Sequence, residues 1–367
     1  MSESTVKRRR ASLQLQGSRS MNTAVEPSHA EQLVINQLDN DLAKGKGVES
    51  IWYQVAYDDG VHLTKQFVRD IMHAHDPEGF QLREPTSKCI HRVAQAPIGV
   101  HHQWAADGHD KLNKIGFPIW GIFEHATSVW LKVSVVPNNR LGKVVAYLFL
   151  CAVEEHEGIC VQFNTDLGSE TTVIFGIVNA LREKYHPELD NDIIPAHRYL
   201  PSTRNVAAEQ NWLQLRVKFG DTAVLAYRKG EDDGIYNPTN PKHFELCQWL
   251  WSKLIQRELD ALADITNGRY MRANKHKAGP QGMTRLEAYH NPESWGGRNY
   301  LLPIKDMDTI RQMKEELGGE ALIAFSTPEF SRRAQLAFDS LGMVGKITFM
   351  NVWTVFTAML DVLPTIT

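Results

Sequence analysis

The chain has 367 residues, enough to bury a full core and to hold two or three domains. Hydrophobic residues make up 43% and charged residues 23%, a balance that places it among soluble globular proteins. The formal net charge of −3 excludes a chain that is basic throughout, so any nucleic-acid surface must be a local patch.

Four cysteines, Cys89, Cys151, Cys160 and Cys247, lie far apart without a CxxC pair, which reads as reduced thiols in an intracellular protein and not as a disulfide framework. The longest apolar run, Val144 to Val153, is about half of what a membrane span needs, so no membrane partner is expected. No Gly-rich phosphate loop, Ser-His-Asp arrangement or dinucleotide fingerprint stands out, and no small-molecule organic cofactor is expected.

Residues 1–28 are rich in Ser, Arg and Gln and lack apolar periodicity, which predicts a disordered tail. Its run Lys7, Arg8, Arg9, Arg10 suits a nuclear-import signal or a phosphate-touching arm as well as a plain solvated tail, and it carries the expectation of a nuclear location. Residues 29–98 form the next region. Leu33, Ile35, Leu38 and Leu42 predict a helix from His29 to Leu42, and Ile51, Trp52 and Val55 a second from Val48 to Tyr57. Asp59-Gly60 marks a turn, and Thr64 is placed to cap a third helix, Lys65 to His75. The sequence of helix, short turn and capped helix is helix-turn-helix-like, with Lys65, Gln66 and Arg69 able to face a DNA groove. Three small helices are also a common structural module. Pro77, Pro85 and Pro97 then predict an extended connector.

From residue 99 to about 280 the pattern changes. Trp104–Asp107, Phe117–Phe123 and Val129–Val136 read as strands, the last two joined as a hairpin across Glu124–Ser128. A helix from Leu141 to His156, a strand Ile159–Asn164, a helix Ser169–Tyr185, a strand His197–Leu200 and a helix Arg204–Phe219 follow. Three consecutive strands, then alternating helices and strands, indicate an α/β domain with one mixed five-stranded sheet and flanking helices. A polar loop, Gly230–Pro241, precedes a long helix from His243 to about Thr266 and a basic loop carrying Arg269, Arg272, Lys275 and Lys277. Residues 281–367 read as a helical extension, in which Thr327-Pro328-Glu329 starts one helix and Gly342 stops it.

Three acids stand where structure alone does not ask for them. Asp107 and Asp166 each close an apolar strand segment, and Glu209 sits three residues before Trp212, near the buried face of its helix. Acids at a core edge are costly unless paired or bound to metal. Two strand-end carboxylates and one on an adjacent helix would make a hard-oxygen site for two Mg²⁺ or Mn²⁺ ions. The competing reading makes Asp107 and Asp166 turn or helix caps and Glu209 a surface residue.

The segments around these acids resemble a transposon-derived family of fungal and animal proteins with an integrase core domain. Trp104 to Leu112 reads WAADGHDKL and is similar to that family's Trp-x-x-Asp-Gly-x-Asp-Lys-Leu motif, followed by Gly-Phe-Pro-Ile at Gly116 to Ile119. Thr165 to Glu170 resembles its Thr-Asp-x-Gly-x-Glu motif, and Asn205, Glu209 and Trp212 its Asn-x-x-x-Glu-x-x-Trp pattern. The resemblance runs from about Val61 to the C-terminus. It departs at Glu124-His125, where such proteins often carry an Asp, and at Leu167, where Cys or Asn is more usual. What it implies is a ribonuclease H-like fold and a polynucleotidyl transferase whose Asp107, Asp166 and Glu209 hold two divalent ions, with DNA as the partner and self-association left open. A catalytically silent DNA-binding descendant and a purely hydrolytic nuclease are the alternatives.

Other residues compete for roles. His73, His75, Cys89 and His91 form an HxH…CxH set that could hold zinc, although the usual His-His-Cys-Cys spacing is absent. Asp110 could be a further ligand. Glu170 could replace Glu209, although its place after Asp166 suits the start of a helix better. The cluster Arg269, Arg272, Lys275 and Lys277 could hold a DNA backbone or be a solvated loop.

Overall fold

The computed structural model describes residues 3–13, 17–77, 79, 98–200, 206–274, 278–343 and 345–363. The chain divides into two compact units, Met1–Cys89 with Val217–Ala226, and Ile90–Arg216 with Tyr227–Thr367.

In the first unit, α1 (Glu3–Ser12) and α2 (Ser18–Ala24) occupy most of the stretch expected to be disordered. Neither has an apolar face to reveal it in sequence, and α2 buries no residue. It is instead tethered by polar contacts: the backbone N–H of Thr64 donates to Asn22 Oδ1 at 3.3 Å, and that of His62 to Met21 Sδ at 2.9 Å.

The three helices read from periodicity follow as α3 (Pro27–Asp39), α4 (Val48–Asp59) and α5 (Lys65–His75). Their apolar faces meet in one core, with Leu33, Val34, Ile51, Val55, Val68 and Met72 buried. Thr64 caps α5 as expected, its hydroxyl accepting from the Phe67 N–H at 3.2 Å. Gly60, at φ +67°, ends α4 in the left-handed conformation that a residue with a Cβ adopts only at a cost. Residues 217–226 belong to this unit through Thr222, whose hydroxyl accepts from the Ala43 N–H at 3.2 Å and donates to Asp41 Oδ1 at 3.4 Å.

The second unit is built on a five-stranded sheet. Strands β1 (Gln103–His109), β2 (Ile119–Glu124) and β3 (Trp130–Val135) form an antiparallel meander. Helix α6 (Gly142–His156) is buried along most of its length and leads to β4 (Gly158–Ile159) and β5 (Gln162–Thr165). The single strand expected over Ile159–Asn164 is thus two short ones, because β4 pairs elsewhere while β5 runs parallel to β1. Helix α7 (Thr172–Tyr185), opened by a 3₁₀ turn at Ser169–Thr171, returns the chain to β6 (His197–Tyr199), parallel to β5. The order is β3-β2-β1-β5-β6. Alternate side chains such as Trp104, Ala106, Ile122 and Phe163 meet α6 and α7 in one apolar core.

The helix expected over Arg204–Phe219 is α8 (Val206–Leu215) followed by a π-helical turn, Arg216–Gly220. A further helix, α9 (Asp221–Asp232), for which periodicity gives no expectation, leads into the polar loop. Asn240 caps α10 (Pro241–Asn267), which lies along the outer edge of β3. Two side-chain amides on α10 act there as a substitute strand. Gln256 accepts from the Val135 N–H at 3.0 Å and donates to the Val133 carbonyl at 3.1 Å. Asn267 accepts from the Trp130 N–H at 2.8 Å and donates to the Trp130 carbonyl at 3.1 Å.

Short strands β7 (Tyr270–Met271) and β8 (Met283–Thr284) pair antiparallel ahead of α11 (Arg285–His290). Strand β9 (Leu302–Pro303) pairs with β4, and Ile304 and Ile310 join the core beneath α6. Helices α12 (Met307–Leu317), α13 (Pro328–Ser340) and α14 (Val352–Val362) complete the unit. Thr327 caps α13 and Gly342 follows its end at φ +56°, as the sequence predicts. Among the described residues no helix is long and apolar enough to cross a membrane.

Candidate functional site

The site lies at the C-terminal ends of β1 and β5. Ala105 is registered with Asn164; Asp107 lies two residues further along β1 and Asp166 just past the end of β5, near enough for the Asp166 charge to act on Asp107. Burial is the main cause that pushes the Asp107 carboxyl up to about 7, and the Asp166 charge adds to it. Asp166 is also raised, by burial and then by the Glu170 charge. Two carboxylates that resist ionising side by side form a place where a cation is favoured.

Asp107 is held at both oxygens. The Trp212 indole Nε1–H donates to Oδ2 at 2.9 Å, and the Gly108 N–H donates to Oδ1 at 2.8 Å. These two bonds lower the carboxyl against burial and fix its rotamer. Trp212 is itself wedged in an aromatic cage, stacked on His109 at 5.1 Å between centroids and edge-on to Phe123 and Trp130. Burial takes the His109 imidazole down to about 4, so it stays neutral beside the indole near neutral pH.

The third acid of the expected set, Glu209, lies in α8 three residues before Trp212; its side chain is outside the described residues. Helix α8 is anchored from a second direction. The largely buried Arg285 guanidinium donates to Asn211 Oδ1 at 3.2 Å and to the Ser128 carbonyl at 2.6 Å. Burial and the neighbouring Arg269 bring Arg285 down to about 10.

Gly121 makes the Trp212 seat possible. It lies opposite Asp107 on β2, and a Cβ there would meet Phe123 Cζ at 2.6 Å and Trp212 Cη2 at 2.7 Å. Gly121→Ala is therefore expected to cost about 1–3 kcal/mol by overpacking. Urea unfolding checks this, and an unchanged midpoint would mean that the cage gives way freely.

The other candidates fall in several places. Asp110 accepts from Asn139 Nδ2 at 3.0 Å and pairs with Arg140, so its charge is already answered. Glu170 occupies the first turn of the 3₁₀ segment before α7. Lys65, Gln66 and Arg69 are exposed on α5: Lys65 pairs with Glu49 at 3.0 Å, Gln66 bonds Asp70 at 2.8 Å, and Arg69 bonds Gln66 at 3.3 Å. Arg269 is half-buried, with Nη1 3.4 Å from Gln214 Oε1, while Arg272 is exposed; Lys275 and Lys277 lie outside the described residues. Of the HxH…CxH set, His75 pairs with Glu31 at 2.8 Å and His73 is exposed on the same helix, while Cys89 and His91 lie outside the described residues. Among the described residues no group of three or more His, Cys, Asp or Glu side chains is clustered to hold a metal.

The acids are legible in the sequence, but the residues that position them are not. Trp212 is visible only as part of a motif, and the signal for its role is its i+3 spacing from Glu209. Arg285 and Gly121 carry no local signal, since their partners are remote in sequence.

A mixed sheet in the order β3-β2-β1-β5-β6 with helices on its faces, and acids at the ends of β1 and β5, defines a ribonuclease H-like α/β domain. The family model described as "Integrase core domain" matches residues 95–289, and the chain belongs to that family. Among solved structures it is similar to a chain of a simian T-cell lymphotropic virus intasome in complex with PP2A regulatory subunit B56 gamma, at 14% identity over 65% of this chain and 70% of that one, with a TM-score of 0.32. It is also similar to the catalytic core domain of BIV integrase, at 15% identity over 53% of this chain and 97% of that one, with a TM-score of 0.28. No curated protein sequence matches it.

Proposed function

We propose that this chain is an integrase/transposase-type polynucleotidyl transferase that cuts a DNA strand and joins the freed 3′-hydroxyl to target DNA. The observation that carries this reading is that Asp107, on β1, and Asp166, just past the end of the adjacent parallel strand β5, lie near enough to interact and are both raised in pKa, within an integrase core domain. The donor set fits hard divalent cations: carboxylate oxygens, with Asp107 rigidly oriented and its ionisation favoured by any nearby positive charge. Asp107, Asp166 and Glu209 would hold Mg²⁺ or Mn²⁺, which when bound would supply activation of the attacking oxygen and stabilisation of the leaving one.

The residues of the chain prepare that site. Trp212 and Gly108 keep the Asp107 oxygens in fixed directions, so no side-chain freedom is lost when a ligand arrives. Asn139 and Arg140 hold Asp110 aside, which leaves the pair of strand-end acids as the acceptors. The fit is tested by nicking and end joining of DNA by the full chain with and without Mg²⁺. Nicking without end joining would reduce the function to hydrolysis, and an inactive chain that binds DNA would make it a silent descendant.

The DNA contacts proposed for Arg269, Arg272, Lys275 and Lys277 and for Lys65, Gln66 and Arg69 predict a steep fall of affinity with salt. Changing the four loop residues to Ala should flatten the slope of log K against log [salt] by up to about 0.9 for each phosphate no longer neutralised, equally for all sequences. Changing Gln66 and Arg69 should narrow the gap between specific and random DNA. A salt titration of both variants decides: an unchanged slope returns the loop to plain solvation, and equal losses on every sequence remove base reading by α5.

A further inference from the structure

Two arginines are brought side by side at the open end of the β7–β8 pair. Arg269 precedes β7 and Arg285 follows β8, and the Arg285 backbone N–H donates to the Arg269 carbonyl at 3.3 Å. Both side chains then reach one side of α8. Arg285 Nη1 donates to Asn211 Oδ1 at 3.2 Å and Arg269 Nη1 to Gln214 Oε1 at 3.4 Å, and these two acceptors stand three residues apart on the helix. Asn211 is the neighbour of Trp212, which holds Asp107, so the arginine pair is fixed to the same turn of helix as the acid site.

The pair is costly as it stands. The Arg269 charge adds to burial in bringing Arg285 down to about 10. The acceptors of Arg285, the Asn211 amide and the Ser128 carbonyl, are both neutral, and among the described residues no carboxylate lies within ion-pair distance of it. A neutral side chain could tie α8 to the hairpin without setting two cations against each other. Arg285 also uses only Nη1 for these bonds, while Nε and Nη2 stay in reach of solvent, and both arginines keep part of their surface in water. Two planar forks with donors to spare suit an anion that accepts several N–H groups at once, as a phosphate does. The anion that the proposed reaction brings to α8 is the DNA backbone.

We infer that Arg269 and Arg285 form a notch for one backbone phosphate of the DNA, distinct from the loop between β7 and β8. This rests on the proposed function and deepens it. Arg285, outside the basic loop, is assigned to the substrate, and its contact is with one defined linkage of the strand.

The test is binding of the full chain, with Mg²⁺ chelated, to a short DNA duplex and to a set of duplexes in which one phosphate at a time is an uncharged methylphosphonate. Fluorescence anisotropy reads the affinity. In the wild type, neutralising the linkage held in the notch should weaken binding about tenfold, the loss expected for hydrogen bonds between charged groups. In Arg285→Gln that linkage should no longer stand out, because the two changes remove the same contact. Arg269→Gln leaves the bonds of Arg285 to Asn211 and Ser128 in place and should show the same effect, which keeps the test open should the first variant fail to fold. A linkage that matters in the wild type and not in the folded variants supports the notch. An unchanged linkage profile in either folded variant, or a wild type that answers to no single linkage, overturns it and leaves the integrase reading in place. Binding of polyglutamate by the wild type alone, with the DNA profile unchanged, would make the occupant an acidic peptide and overturns it too. A chain that binds none of the duplexes fails the proposed function and the notch together.

Discussion

Asp107→Asn is expected to reduce Mg²⁺-dependent nicking by at least about a thousandfold while leaving the protein slightly more stable when no divalent ion is present. The loss follows from removing one ligand charge at nearly constant volume from a site whose chemistry is electrostatic. The gain follows from the position of the carboxyl. Its pKa in the folded chain, about 7, lies above the ordinary value of 3.8, so the folded state binds the proton more tightly than the unfolded state. The stabilising contribution of that proton is present below about pH 4 and is lost as pH rises to about 7. Above pH 7 the folded wild type carries a charge it resists, and Asn does not. Discounted for partial exposure to water and for the loss of one acceptor from the Trp212 and Gly108 pair, the difference is about 1 kcal/mol.

Thermal unfolding at about pH 5 and about pH 8, with and without Mn²⁺, reads each part of this. The variant should gain on the wild type between the two pH values without metal. With Mn²⁺ the order should reverse, because only the wild type is stabilised by binding. Nicking by the variant at the wild-type rate would falsify the assignment of Asp107 to the reaction.

Trp212→Phe is expected to weaken Mn²⁺ binding by about 10- to 100-fold, with nicking falling in proportion at limiting metal and recovering at saturating metal. The substitution keeps an aromatic ring in the cage with His109, Phe123 and Trp130 and removes the N–H that holds Asp107 Oδ2. The stability cost should be about 1 kcal/mol, that of one hydrogen bond to a carboxylate together with some loss of packing. Titration of Mn²⁺ by calorimetry or by thermal shift separates the two effects. Unchanged metal affinity together with lowered stability would leave Trp212 a purely structural residue.

The core is legible in the sequence where local pattern decides. The turn at Gly60, the cap at Thr64, the apolar helix before β4 and the start of α13 at Thr327 all follow from neighbours within one turn of chain. Periodicity also places the strands that lead to Asp107 and Asp166. What it does not contain is pairing: that β5 joins β1 in parallel, while β4, just before it, leaves to meet β9 far along the chain. The π-helical turn at Arg216–Gly220 is hidden for a related reason. Phe219 is buried at a spacing that fits an α-helix continuing from Trp212 and Leu215, and nothing in the residues marks the widened turn. Of the site, the acids can be named from motifs, but the Trp212 bond, the Gly121 opening and the Arg285 anchor depend on residues remote in sequence that only folding brings together.

The amides of Gln256 and Asn267 have a consequence for assembly. By taking up the outward N–H and carbonyl groups of Trp130, Val133 and Val135, they close one margin of the sheet to a neighbouring chain. Copies of this protein therefore cannot build a continuous intermolecular sheet through β3. The opposite margin of this sheet is β6, which is three residues long and so offers a neighbouring chain little to pair with.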